Sequence, residues 1–98
     1  MKEKTIKKEW RDELIALFGK MKSADKLDAF LKDLLTPSEY RDVIIRVQIV
    51  KLLSQNKTHR YISRQLGVGV ATVERGVKEL NDPHGSFSKI FKKLNDFR

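Results

Sequence analysis

Apolar residues along this chain recur every three or four positions, and no stretch alternates as a half-buried strand would. Residues 5–22 put Ile6, Trp10, Leu14, Leu17 and Phe18 at helical spacing. Ser23 can cap a second helix running to Leu35, with Leu27, Phe30, Leu31 and Leu34 on one face. "TPSE" then opens a third helix. Thr36 is a capping residue, Pro37 suits the first helical position, and Glu39 completes a capping box with Thr36. Two short helices, about 58–66 and 70–80, are separated by "GVG", and a last helix capped by Ser86 carries Phe87, Ile90, Phe91 and Leu94. The expectation is an all-α fold of about six helices. It forms one domain over 1–98, because the connections leave no room for a linker and no segment repeats another.

The third helix, about 37–55, carries Tyr40, Val43, Ile44, Ile45, Val47, Ile49, Val50, Leu52 and Leu53, which cover more than one stripe. A helix apolar over most of its circumference must be buried on several sides. A chain of 98 residues has too few other elements to do this, so a homodimer with a shared core is expected.

Residues 58–77, "THRYISRQLGVGVATVERGV", read as a helix-turn-helix whose second helix continues to about 80. Ile62 and Leu66 give the first helix a buried edge, and Ser63 is small, as the crossing point requires. Gly67 can take the positive φ that ends this helix. Val68, Val73, Val77 and Leu80 bury the second helix. From Gly69 onward the outward face is small: Val70, Ala71 and, one turn on, Glu74. Small residues at a helix N-terminus allow close approach to base edges in a major groove. Thr58, His59 and Arg60 at the start of the first helix can reach phosphates, and Lys57 and Arg64 add positive charge. The plainer alternative is an ordinary helical hairpin whose glycines merely end helices.

Composition supports the first of these. The net charge is +8 and the pI about 9.9, a balance that favours an anionic partner, usually nucleic acid. There is no cysteine, so neither a disulfide nor a thiolate metal site is expected. No apolar run reaches the ~20 residues of a membrane span. "MKEKTIKKEW" lacks the apolar stretch of a signal peptide, so a cytoplasmic protein is expected. "GVGVAT" is not a dinucleotide-binding loop, since Thr72 stands where the third glycine belongs and no strand precedes it. His59 and His84 are far apart and stand beside no nucleophile, and no acidic cluster has metal-ligand spacing. An enzyme, a metal and a resident cofactor are therefore not expected.

"LTPSEYRDVIIRVQIVKLL" followed by "LGVGVATVERG" resembles the tryptophan repressor family, over about Leu35 to Leu80. That repressor is itself one of the familiar helix-turn-helix proteins. The resemblance implies an intertwined, all-helical dimer that represses transcription from a near-palindromic DNA operator when L-tryptophan binds as corepressor. It also implies that the indole ring lies between two arginines, which match Arg46 and Arg75, with Thr36, Thr72 and Gly76 at further pocket positions. Glu79 stands where the tryptophan-responsive members have a serine near the ligand's amino group. Val77 and Lys78 replace the polar pair that follows "RG", and Glu74 replaces a threonine on the DNA-facing side.

Thr72, Arg75, Gly76 and Glu79 share one helix face by their spacing. A glycine inside a helix costs about 1 kcal/mol relative to alanine. Its missing side chain can open a slot for a flat ring, with Arg75 stacking on that ring or holding a carboxylate. Arg46 can supply the opposite wall. The alternatives are an Arg46–Asp42 pair, an Arg75 contact with a phosphate or with Glu79, and close helix packing at Gly76. Glu79 can pair with a ligand ammonium group, or with Arg75 or Arg46. Two further functions stay open: a family member that binds DNA without tryptophan or with another ligand, and a helical module whose positive face binds an acidic protein.

Overall fold

The computed structural model describes residues 5–95, with side chains through Phe91, so the expected contribution of Leu94 lies outside the described side chains. Among the described residues there are six helices and no strand: α1 (Lys8–Gly19), α2 (Ala24–Leu34), α3 (Pro37–Ser54), α4 (His59–Leu66), α5 (Val70–Asn81) and α6 (Ser86–Asn95). The chain divides into two compact units, one ending at Tyr40 and the other beginning at Arg41.

In the first unit α1 is shorter than its apolar pattern predicts. It starts at Lys8, leaving Thr5 and Ile6 outside, and stops at Gly19. The reason is at its C-terminal end. Lys20 N–H bonds back to the Ala16 and Leu17 carbonyls and Met21 N–H to that of Phe18, closing the last turn. The chain must then be extended at Ser23 (φ −132°, ψ 154°) for its hydroxyl oxygen to accept from Lys26 N–H at 3.1 Å and cap α2. Phe18 meets Phe30 edge-on with centroids 5.4 Å apart, which joins α1 to α2. The capping box forms in both directions: Thr36 N–H donates to Glu39 Oε1 at 2.9 Å and Glu39 N–H to Thr36 Oγ1 at 3.1 Å. Those bonds hold the Glu39 carboxyl below its ordinary 4.5, the bond from the Thr36 backbone first. Tyr40 Oη donates to Asp28, which Lys32 also approaches at 3.1 Å.

The second unit is built on Ile49 of α3, Ile62 of α4 and Val73 of α5, all buried, with Ile45, Leu52, Leu53, Leu66 and Val68 packed around them. Each connection is set by one residue. Asn56 takes φ 62° after α3, so that its own N–H bonds to the Leu53 carbonyl and Lys57 N–H to that of Leu52. Asn is among the few side chains that enter this left-handed region readily. Thr58 Oγ1 accepts from Tyr61 N–H at 3.1 Å and caps α4. Gly67, at φ 67° and ψ 37°, ends α4 as expected, and the N–H groups of Gly67 and Val68 both reach the Ser63 carbonyl. The Ser63 hydroxyl donates to the Val68 carbonyl, which ties the tight turn to α4. α5 packs against both α4 and α6. Asp82, before Pro83, is extended and stops α5. α6 starts at Ser86 itself, so Ser86 is its first helical residue rather than its cap. The turn before it is held by Asp82, which accepts from the N–H groups of His84 and Gly85.

Candidate nucleic-acid interface and effector site

α4 and α5 with the turn between them have the helix-turn-helix arrangement, and its inner edge is the core just described. What remains outside is basic and open. Lys57, Thr58, His59, Arg60 and Arg64 are all exposed on the α4 side. Gly69, Val70, Ala71 and Glu74 are exposed at the start of α5. The N-cap of α5 is Gly69, which offers no side-chain oxygen to the first-turn N–H groups. Those groups, at the positive end of the helix dipole, stay directed outward between small side chains. The ion pairs among the described residues (Lys8–Asp12, Arg11–Asp12 and Lys32–Asp28) all lie in the first unit. The cations of α4 are therefore uncompensated within the second unit.

Two residues of this surface carry no signal in the sequence pattern. Tyr61 is 45% exposed, with Lys57 Nζ 5.4 Å from its ring centroid. Gln65 lies one turn beyond it. Both line a surface concavity with Thr58, Arg60 and Arg64. An aromatic residue in a short helix reads as core until the structure shows Ile62 buried and Tyr61 turned out.

The candidate effector residues fall on both units. Thr36 belongs to the first, where its hydroxyl oxygen serves the capping box. Arg46, Thr72, Arg75, Gly76 and Glu79 belong to the second. Gly76 is buried, and a Cβ built there would lie 2.7 Å from Ile49 Cγ2 and 3.3 Å from Leu53 Cδ1. The expected slot is thus occupied by side chains of α3, and within this chain close helix packing describes Gly76. That contact fixes a seam between α3 and α5. Arg46 shares the Ile49–Leu53 face of α3, one turn from Ile49, and Thr72 and Glu79 each lie one turn from Gly76 on α5. Arg46, Thr72 and Arg75 are exposed. Neither the Arg46–Asp42 pair nor the Arg75–Glu79 pair is formed.

Glu79 is half-buried, and its Oε2 is fully buried without a hydrogen-bond partner. A buried acceptor left unmatched costs about 1–3 kcal/mol, more when charged. The carboxylate borders a cavity of about 270 Å³ that Asp82, Gly85, Ser86 and Phe87 also line. No cationic side chain lines that cavity, so the group it suits best is one that brings its own N–H donors and positive charge. No group of three or more His, Asp or Glu side chains with metal-holding geometry occurs among the described residues.

Comparison with known proteins agrees with this arrangement. The family described as Trp repressor protein matches residues 8–95. A Trp operon repressor homolog of Photobacterium profundum is 41% identical over 73 residues, covering 74% of this chain and 70% of its own length. The Trp operon repressor homolog of Xylella fastidiosa is 36% identical over 70 residues, covering 70% of this chain and 76% of its own. That of Vibrio cholerae is 37% identical over 73 residues, covering 74% and 70% respectively. No solved structure gives a significant match.

Proposed function

The chain belongs to the Trp repressor family, whose members are DNA-binding repressors, and from that premise we propose that it represses transcription as a homodimer on a near-palindromic operator, with an aromatic amino acid, L-tryptophan first, as corepressor. The observation that carries the DNA reading is the unneutralised row Lys57, Arg60 and Arg64 beside the open, small-residue start of α5. Phosphates neutralise such a row by displacing counterions, and base edges accept a helix end that carries only Gly69, Val70 and Ala71. Glu74, one turn on, is an anion facing a polyanion. It earns a place there by accepting from a cytosine amino group or by rejecting wrong sites. No helix among the described residues is long and apolar enough to cross a membrane. A protein that acts on DNA works in the cytoplasm of a bacterial cell.

For the corepressor, the supporting observation is the pairing of exposed, unpaired Arg46 and Arg75 with the orphaned oxygen of Glu79. The guanidinium planes flank a ring or hold a carboxylate. Glu79 Oε2 accepts from the ammonium group. Thr36 and Thr72 supply further polar contacts. Gly76 contributes by letting α5 lie close on α3, so the two arginine-bearing helices stay within reach of one small molecule. Occupancy then biases the angle of the recognition helix, and the coupling is reciprocal: tryptophan and DNA tighten each other's binding by one factor. Titration calorimetry with L-tryptophan, with and without operator, tests this. Heat of binding that strengthens with DNA is expected, and Glu79→Gln should weaken the amino acid far more than its desamino analogue. No heat and no change in DNA affinity at millimolar tryptophan would reject the corepressor role. The filled slot at Gly76 favours one second reading, a family regulator that binds DNA without tryptophan. That result would establish it, unless Glu79→Ser restores a response.

A further inference from the structure

The concavity on the outer side of α4 has a volume of about 320 Å³ and is lined by Thr58, Arg60, Tyr61, Arg64 and Gln65. Every side chain on that lining donates hydrogen bonds: one aliphatic hydroxyl, one phenol, one carboxamide and two guanidinium groups. The Thr58 oxygen already accepts from Tyr61 N–H, which leaves its hydrogen to be given outward. No carboxylate lines the concavity, and no ion pair among the described residues involves either arginine. Arg60 and Arg64 lie four apart, a like-charge spacing that weakens an isolated helix, and α4 spans only His59–Leu66. Lys57 sets a third cation over the Tyr61 ring at 5.4 Å. A short helix thus concentrates repelling charge and gathers donors around one hollow. Such an arrangement is stabilised by an anion with several acceptor oxygens.

We propose that Tyr61, Arg64 and Gln65 form a phosphodiester seat on double-stranded DNA, additional to the contacts made by the start of α4 and by α5. The inference rests on the DNA-binding reading above and adds two residues, Tyr61 and Gln65, that the helix-turn-helix pattern does not mark. Arg64 presents its planar fork to the phosphate oxygens. The Tyr61 hydroxyl donates to the same group while its half-exposed ring lies against the sugar. Gln65 donates from the next turn, and Arg60 closes the hollow on the other side. The contact reads no base, so it sets register and affinity rather than sequence preference.

The test uses the full chain and a duplex enriched from a random-sequence pool by the wild-type protein, with binding measured by fluorescence anisotropy across a salt series. Arg64→Ala should weaken binding at every sequence and reduce the slope of log K against log salt by about one. Arg64→Lys should keep the slope while losing part of the affinity, because the charge stays and the fork goes. Tyr61→Phe should cost roughly threefold to tenfold in affinity with the slope unchanged, the loss of one neutral hydrogen bond. Base preference at the enriched site should not move in any variant. The side chains changed are exposed, and unchanged thermal unfolding of the free proteins separates a lost contact from a lost fold. Wild-type affinity and slope in Tyr61→Phe and Arg64→Ala would overturn the seat while leaving the DNA reading standing. Failure of the wild-type protein to enrich any duplex would overturn both. A slope change in Arg64→Ala that inorganic phosphate abolishes at millimolar concentration would assign the hollow to a free anion and so reject the DNA seat.

Discussion

At Gly76 one missing methyl group decides how closely α5 lies on α3. A built Cβ would sit 2.7 Å from Ile49 Cγ2, nearer than real Cβ contacts come, and 3.3 Å from Leu53 Cδ1. Gly76→Ala therefore sets two effects against each other. Helix propensity favours alanine by about 1 kcal/mol, while forcing an extra methyl into a packed seam costs typically about 1–3 kcal/mol. Packing wins, and a net loss of up to about 2 kcal/mol is expected, read as an earlier urea midpoint with unchanged slope. A stability equal to or above that of the parent would show that Ile49 yields freely. Larger substitutions at Gly76 disturb the seam as well as any ligand beside it, so the cleaner probe of ligand binding is Glu79. The sequence makes Gly76 conspicuous as a glycine inside a helical pattern, and it shows that Thr72, Arg75 and Glu79 share its face. It cannot show what fills the gap, because Ile49 stands in another helix. The orphaned Glu79 oxygen is illegible for the same reason.

α3 shows at the scale of an element why local signals were readable. "TPSE" specifies its start through bonds among residues three apart, and both bonds of the box are present. Their effect on Glu39 gives a pH signature. A carboxyl held below its ordinary 4.5 contributes stability that is fully present above that value. The contribution fades as pH falls through the lowered folded value. Unfolding followed by circular dichroism from neutral to acid pH should show this loss. Glu39→Gln, which keeps a capping acceptor but cannot titrate, should remove that component of the pH dependence, and an unchanged pH profile in the variant would show that Glu39 does not supply it. The ends of α4 and α5 were equally legible: Thr58, Gly67, Gly69 and Pro83 act within a few residues of themselves. The ends of α1 were not. Its apolar spacing continues to either side, but the demand that Ser23 be extended to cap α2 stops it early, and that demand comes from the next element. Tyr61 fails for a related reason, since only the packing of Ile62 decides which of two adjacent apolar residues faces out.

For the whole molecule, the decisive quantity is apolar surface left without cover by this chain. α1 buries none of its residues, and Trp10 and Ile15 are at least half exposed. On α3 the buried residues are Ile49 and Val50, while Val43, Ile44 and Val47 are exposed. Covering a half-exposed large apolar side chain contributes on the order of 1 kcal/mol. A handful of them therefore matches the roughly 5–15 kcal/mol by which a domain is stable at all. A partner with the same surface supplies that cover most economically, because a two-fold axis brings like patches together. Folding should then be inseparable from association, so the unfolding midpoint should rise with protein concentration. Sedimentation at micromolar concentration should give a dimer that persists until it unfolds. Ile44→Asp should lower the midpoint and weaken association together. A well-folded monomer with a midpoint independent of concentration would reject the dimer. The same axis carries the prediction to DNA. It duplicates the outward start of α5, so the enriched operator should be near-palindromic with half-site centres about one DNA turn, roughly 34–36 Å, or a multiple of it apart. Inserting half a turn between half-sites turns one recognition helix to the wrong side of the duplex, and affinity should then fall to that of a single half-site.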